Sequence, residues 1–420
     1  MQNKKAISRL LLANIISGFA QGISMLSIPW YFTNIKKDEQ LFSFAYVIVT
    51  IISIGWSLYA GTLIDRFSRK KVFVWLNICG AIILLSTAAL GFITGDTPAF
   101  FVLLVFCCTM LIYSLHYPCL YAFGQEITER GNYGKLNSLI EVQGQSTTMI
   151  AGVAGALLLN GSTDGTLELL GLKIQLPFTI KAWSMKEIFL MDGITYLFAI
   201  VLIGSIKYIP VAKEKTDAGS VFERIKVGWN YLKQNKKVFL FGNASYSIFV
   251  VLLVEVHILL AWYVNNHLHR GGDVYASAEV YYALGALFAG LAIRKIFAGT
   301  NSVKAVMILM FITVAGLFWV SFSQQAWIFY VFSLVIGVTN AGARVLRTTW
   351  LFQHVPNNVM GRVGSVFNVL NIVQRLGLSL LFSLAFFSKA SNVTWAYFIG
   401  AIFILLNLVP LFLRYNDLKK

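Results

Sequence analysis

Charge is the scarcest feature of this sequence. Of its 420 residues, 12% are Asp, Glu, Lys or Arg, where a soluble protein carries roughly 25%. With 57% hydrophobic residues and a mean hydropathy of +0.71, a water-soluble globule would lack the charge to cover its outside, whereas lipid accepts an apolar exterior. A soluble enzyme is excluded, and the expected class is an all-α membrane protein. Cysteine is also sparse. Cys79, Cys107, Cys108 and Cys119 lie in apolar runs with no CxxC spacing and no clustered histidines, so neither a disulfide framework nor a metal site follows, and no cofactor is expected. The sequence has no GxxxxGK[ST] phosphate loop, which disfavours an ATP-driven engine. It has no small-residue cleavage site behind Lys4, Lys5 and Arg9, so the first apolar stretch reads as a retained membrane helix rather than a signal peptide.

What is abundant is long apolar runs. Stretches of about 20 residues mark twelve spans, from Ser8–Phe32 to Val393–Leu413, with the seventh at Val238–Val264 and the eighth at Ser277–Phe297. An even number puts both termini on one side. The basic excess, 34 Lys and Arg against 18 Asp and Glu, falls mostly in loops on that side, which assigns it to the cytoplasm and accounts for the charge without nucleic acid. The largest such loop separates spans six and seven. It divides the chain into an N-terminal six-helix half at 1–209, a basic linker at 210–237 and a C-terminal six-helix half at 238–420. Within the linker, Phe222 to Leu232 has helical spacing of apolar residues beside basic ones, fitting either a helix on the membrane surface or a solvated connection. On the opposite side, a long loop from about Asn160 to Lys186 alternates Leu172, Ile174 and Leu176 with Lys173 and Gln175, predicting a short hairpin.

Between spans two and three the sequence reads Gly61-Thr-Leu-Ile-Asp65-Arg66-Phe-Ser68-Arg69-Lys70-Lys71. This resembles the signature loop of the major facilitator superfamily, with Ser68 in place of a frequent glycine. The resemblance implies a fold of twelve transmembrane helices in two six-helix halves. It also implies a conformational latch built from Gly61, Asp65, Arg66, Arg69 and Lys70, in which Asp65 meets the N-terminus of span eleven, expected near Gly361. The second-half counterpart, Gly290-Leu-Ala-Ile-Arg294-Lys295, lacks the aspartate. The loop from His354 through Pro356, Gly361 and Arg362 to Val363 resembles the bacterial branch containing macrolide-efflux and enterobactin-type siderophore exporters, as do Met191-Asp192 and the run from Trp229 to Lys236. The implied location is the bacterial inner membrane.

Polar residues at bilayer depth cost about 2.5–3.5 kcal/mol on insertion scales and should face a cavity or a partner. Asn340, Arg344 and Arg347 repeat at i, i+4 and i+7 on span ten, and Asn368, Asn371 and Arg375 at i, i+3 and i+7 on span eleven. Glu141, Gln145 and Thr148 form a third stripe on span five. Glu141 and the arginines of span ten share a level, so they either bridge the halves as a gate or pair within their own halves. Glu255 on span seven is the acid expected to carry a coupling proton, unless it pairs with Arg375; His257 points away from it. Span one lacks an acid and offers Gln21 and Asn14. His116 reads as a substrate contact or a satisfied histidine at a proline bend, and Asp192 as a complement to the dipole of its helix. Gly18 and Gly22 with Gly152 and Gly155 offer faces for close helix packing.

These features lead to an expected function: a monomeric secondary transporter in the lipid bilayer, exporting a small amphipathic anion by proton antiport and alternating access, with no catalytic residues. The alternatives are a multidrug or macrolide exporter reading apolar area, and a non-transporting membrane scaffold or sensor.

Overall fold

The structure, a computed structural model, describes residues 4–129, 132–162, 165–175, 177–207 and 221–419. The side chains of Asp65 and Arg66 and the surroundings of Gly61 lie outside that description, as do residues 208–220, which include the first part of the linker. By proximity in space the chain forms two units, Met1–Lys37 with Gly55–Ala218, and Asp38–Ile54 with Gly219–Lys420.

In the first unit, α1 (Lys4–Trp30) continues into a π turn at Tyr31–Ile35; α2 (Glu39–Arg66), α3 (Arg69–Thr94), α4 (Ala99–Glu126) and α5 (Tyr133–Asn160) follow. The first half of α2 packs with the second unit. Strands β1 (Thr166–Leu169) and β2 (Leu172–Gln175) pair antiparallel, with Leu169 opposite Leu172, and form the expected hairpin. Helix α6 (Met185–Gly204) then starts at a capping box in which Ser184 and Glu187 satisfy each other's backbone amides. Apolar side chains of α1, α3, α4, α5 and α6 form one core around Leu10, Phe73, Leu120, Phe123 and Leu136.

The second unit opens with α7 (Val221–Gln234), the linker helix. It is docked rather than solvated: Leu232 is buried, the Tyr231 hydroxyl donates to His354 O at 3.1 Å, and Gly228 lies so close to Arg362 O that a Cβ would collide with it. The seventh span is not the continuous helix expected. It runs as α8 (Lys236–Ser245), α9 (Ser247–Val254), a π turn at Glu255–Leu259, α10 (Leu260–Trp262) and a second π turn at Tyr263–His267. Then come α11 (Gly272–Ile296), α12 (Ser302–Ser321), α13 (Ala326–His354), α14 (Asn357–Phe382), the short α15 (Ala385–Ser388), α16 (Val393–Leu413) and a terminal turn, α17 (Tyr415–Leu418). Helix α14 begins at Asn357, not near Gly361, because Pro356 sits at its N-cap with φ of −58°, the torsion its ring imposes and a helix tolerates at its start.

Among the described residues, eleven helical segments are long and apolar enough to cross a membrane. Helix α5 is the twelfth of the expected set; it is long enough but diluted by Glu141, Gln143, Gln145, Thr147 and Thr148. Ile93, Val201, Leu291 and Phe322 stand exposed on their helices, as side chains bordered by lipid do.

Candidate functional site

Each unit buries its own set of polar groups. In the first, His116 Nε2 donates to Asn14 Oδ1 at 2.7 Å, and Asn14 Nδ2 donates to Gln143 Oε1 at 2.9 Å. The chain links α4, α1 and α5 and accounts for the polarity of α5 in a core that penalises unpaired polar groups. Gln143 falls between the positions of the Glu141 stripe, so spacing alone missed it. Gln21 is buried two turns further along α1, and Glu141 is half-buried. Asp192 does not serve the helix dipole. Helix α6 starts seven residues earlier, where Glu187 does that work, and Asp192 is instead buried near Ser24 of α1 and Tyr196. Its Oδ1 has no hydrogen-bond partner among the described residues.

The basic residues of the signature loop tie this unit together. Arg69 Nη1 meets Glu126 Oε1 at 2.9 Å and donates to Ala122 O at 3.2 Å, joining the start of α3 to the end of α4. Lys70 Nζ donates to Gly204 O and Ile206 O at 2.7 and 2.8 Å, filling the open carbonyls at the end of α6. The first six residues of the motif, Gly61 through Arg66, are the last turn and a half of α2, and its second-half counterpart from Gly290 to Lys295 is likewise helical, within α11.

In the second unit the first π turn sets the geometry. A π turn spaces backbone bonds one residue wider than an α turn and recurs at functional sites. Here Leu253 O accepts from His257 Nδ1 at 2.7 Å and from the Tyr46 hydroxyl at 3.2 Å, and the two rings stack with centroids 4.9 Å apart. Glu255, at the start of the same turn, is buried and points elsewhere: the Tyr397 hydroxyl of α16 donates to its Oε1 at 3.1 Å. Glu279 of α11, which the sequence reading did not single out, lies within electrostatic range of Glu255, as do Tyr275 and Tyr282. Among the described residues no ion pair joins Glu255 to Arg375.

The two stripes of the second half are each split in burial. Asn340 and Arg347 are buried while Arg344 is exposed; Asn371 and Arg375 are buried while Asn368 is exposed. Asn340 Nδ2 donates to the Tyr282 hydroxyl at 3.0 Å, and Arg344 lies within electrostatic range of both Tyr282 and Arg347. Arg347 is engaged within its own unit: Nη1 donates to Ser245 O at 3.0 Å, and the guanidinium sits 3.5 Å from the centre of the Tyr246 ring. The Arg375 guanidinium lies 5.9 Å from the Tyr46 ring. Three donors in this set, Arg347 Nε, Asn371 Nδ2 and Arg375 Nε, are buried without a partner among the described residues. Buried donors normally have acceptors.

Long apolar helices enclosing buried carboxylates, arginines and orphan donors define an integral membrane protein of the transporter class. Residues 10–377 match the Major Facilitator Superfamily model, and the chain belongs to that superfamily, one of transporters rather than enzymes. It is 21% identical over 324 residues to the protein named "Putative bacilysin exporter BacE" of Bacillus amyloliquefaciens, covering 76% of this chain and 74% of that one. Among solved structures, nucleoside transporter NupG superposes with a TM-score of 0.69 at 12% identity, covering 98% and 99% of the two chains. A bacterial homologue of the iron transporter ferroportin superposes at 0.71 and 12%, covering 96% and 97%. Identities this low show the fold alone.

Proposed function

We propose that this protein is a secondary active exporter of the bacterial inner membrane that moves a small amphipathic anion outward by alternating access, coupled to proton entry. The observation that carries the reading is the set of orphan donors. Arg375 Nε and Asn371 Nδ2 on α14 and Arg347 Nε on α13 are buried and lack acceptors among the described residues, and a cargo rich in acceptors, such as a carboxylate, supplies what they lack. Exposed Arg344 and Asn368 extend the same donor-rich character. The curated relative bears an exporter's name, which favours export over import.

Glu255 and Glu279 serve as the coupling pair. Two carboxyls in electrostatic range do not ionise independently, so a proton delivered to one changes the affinity of the other. The signature loop, with Asp65 as its acid, sets which side of the membrane the cargo site faces. The working unit is a monomer in the lipid bilayer, with its termini in the cytoplasm.

The test is a thermal-shift screen of the purified protein against anionic chelators, neutral macrolides and cationic drugs, repeated with Arg375→Ala and Asn371→Ala. Binding stabilises with the logarithm of ligand over Kd. Stabilisation by anions, lost in both variants, is expected. Stabilisation by neutral or cationic compounds that survives both substitutions would overturn the anion assignment and favour a drug exporter reading apolar area.

A further inference from the structure

The second unit contains a groove whose lining includes none of the carboxylates and arginines described above. It has a volume of about 470 Å³ and is lined by Trp229, Leu232 and Lys233 of α7, by Lys236, Phe239 and Leu240 of α8, and by Pro410 and Arg414 at the end of α16. Its walls are of two kinds. Trp229 and Phe239 meet edge to face at 5.9 Å and, with Leu232, Leu240 and Pro410, make an apolar floor. Lys233, Lys236 and Arg414 stand exposed at the rim, with Lys233 Nζ 5.8 Å from the Trp229 ring. Among the described residues no acid lines the groove.

We infer that this groove is a binding site for an anionic phospholipid, with the headgroup phosphate held by Lys233, Lys236 and Arg414 and the upper acyl chain lying on Trp229, Phe239 and Leu240. Three features point to that occupant. The first is charge complementarity, three cations with no compensating carboxylate in the lining, whose natural counterpart is a phosphodiester. The second is depth. Lys236 opens one candidate membrane-spanning segment and Arg414 caps the end of another, so the groove sits where headgroup and acyl chain meet, and amphipathic side chains with aromatic partners are suited to that boundary. The third is rigidity. Helix α7 is fixed against α14 by Gly228 and against the end of α13 by the Tyr231 to His354 bond, so the cations are presented by a docked helix rather than a mobile linker, and little ordering is needed on binding. The neighbouring groove between α12 and α16, lined by Met307, Ile308, Phe311, Leu408 and Phe412 with the single cation Lys304, offers apolar surface without a cationic rim and serves as the internal comparison.

The experiment uses the full-length protein in zwitterionic detergent micelles doped with phosphatidylglycerol or, separately, with phosphatidylcholine, read by thermal shift and by native mass spectrometry of retained lipid. Phosphatidylglycerol is expected to raise the melting temperature and to be retained. The combined variant Lys233→Gln, Lys236→Gln, Arg414→Gln is expected to weaken its binding about tenfold or more. The charge-preserving variant Lys233→Arg, Lys236→Arg, Arg414→Lys should bind as the parent does. A charge-matched control, Arg294→Gln, Lys295→Gln, Lys304→Gln, should also retain it, which separates a site from bulk attraction. Equal stabilisation by phosphatidylcholine, equal stabilisation by inorganic phosphate alone, or retention undiminished in the glutamine variant would overturn the assignment.

Discussion

Glu255 owes its chemistry to its neighbours: a hydroxyl from Tyr397 on one oxygen and a second carboxyl, Glu279, within electrostatic range. Glu255→Gln keeps the shape and the hydrogen bond but cannot carry a proton. In proteoliposomes, transport driven by a proton gradient is expected to fall about tenfold or more, while cargo exchange at equal pH on both sides persists. Loss of both activities together would make Glu255 structural. Tyr397→Phe removes one hydrogen bond worth about 1 kcal/mol and should change the pH dependence of driven transport rather than abolish it. A simpler titrating pair lies in the loops, where Lys36 Nζ meets Asp96 Oδ2 at 2.9 Å. The lysine holds the Asp96 carboxyl below its usual range, and the aspartate raises Lys36. A lowered carboxyl contributes above its unfolded pKa and loses that contribution as pH falls through its folded value; a raised ammonium contributes below its unfolded pKa and loses it as pH rises through its folded value. The bridge therefore contributes fully between about pH 4 and about pH 10 and fades beyond either end as each folded value is passed. It is exposed, so Lys36→Gln should cost no more than about 1 kcal/mol at pH 7 and progressively less as pH falls below about 4, measured by thermal melting.

Helix packing in the second unit depends on two glycines at the contact of α11 and α13. A Cβ on Gly285 would run into Leu334 O, and one on Gly337 into Tyr282 O, so each helix presses its backbone into the other. Helix propensity alone favours Ala over Gly by about 1 kcal/mol, whereas overpacking costs about 1–3 kcal/mol, more when the obstacle is backbone. Packing wins, and Gly337→Ala should lower the melting temperature. Gly290→Ala, on the same α11 with nothing within 4 Å of the added carbon, should leave it unchanged or raise it. Much at this scale was legible in the sequence. Apolar runs marked the helices, alternation at Leu172 and Ile174 marked the hairpin, and helical spacing marked the linker helix. What escaped depended on helix starts and on pairing between helices. Span eight was expected from Ser277, which left Glu279 at its edge, but α11 begins at Gly272 and carries Glu279 two turns in. A start at Met185 moved Asp192 inward in the same way. The π turns of the seventh span have no spacing signal, and the link from His116 through Asn14 to Gln143 joins residues on three helices that no periodicity relates.

For the whole molecule, a net charge of +16 is expected to be sorted by side. The exposed Lys226, Lys233, Lys236 and Lys237 of α7 and α8, Arg69–Lys71 at the start of α3, Lys4 and Lys5, and Arg294 and Lys295 at the end of α11 are expected on one side of the membrane if the chain makes twelve crossings. The β1–β2 hairpin falls on the other, with few cations. Each Lys or Arg near an anionic leaflet is worth about 1 kcal/mol, so the threading that keeps this group on the cytoplasmic side is favoured over its inverse by several such contributions acting together. Single cysteines at Lys173→Cys in the hairpin and Lys226→Cys in α7 read this out directly, in a background where Cys79, Cys107, Cys108 and Cys119 are replaced by alanine. A membrane-impermeant maleimide added to intact cells should modify the hairpin position and spare α7, and permeabilisation should expose both. The reverse pattern would place the basic face outside. It would turn the phospholipid groove toward the outer leaflet, whereas the coupling at Glu255 would keep its sense: an exchange of cargo against protons is antiport in either orientation, so proton entry would still drive export, and the lipid site alone would change leaflet.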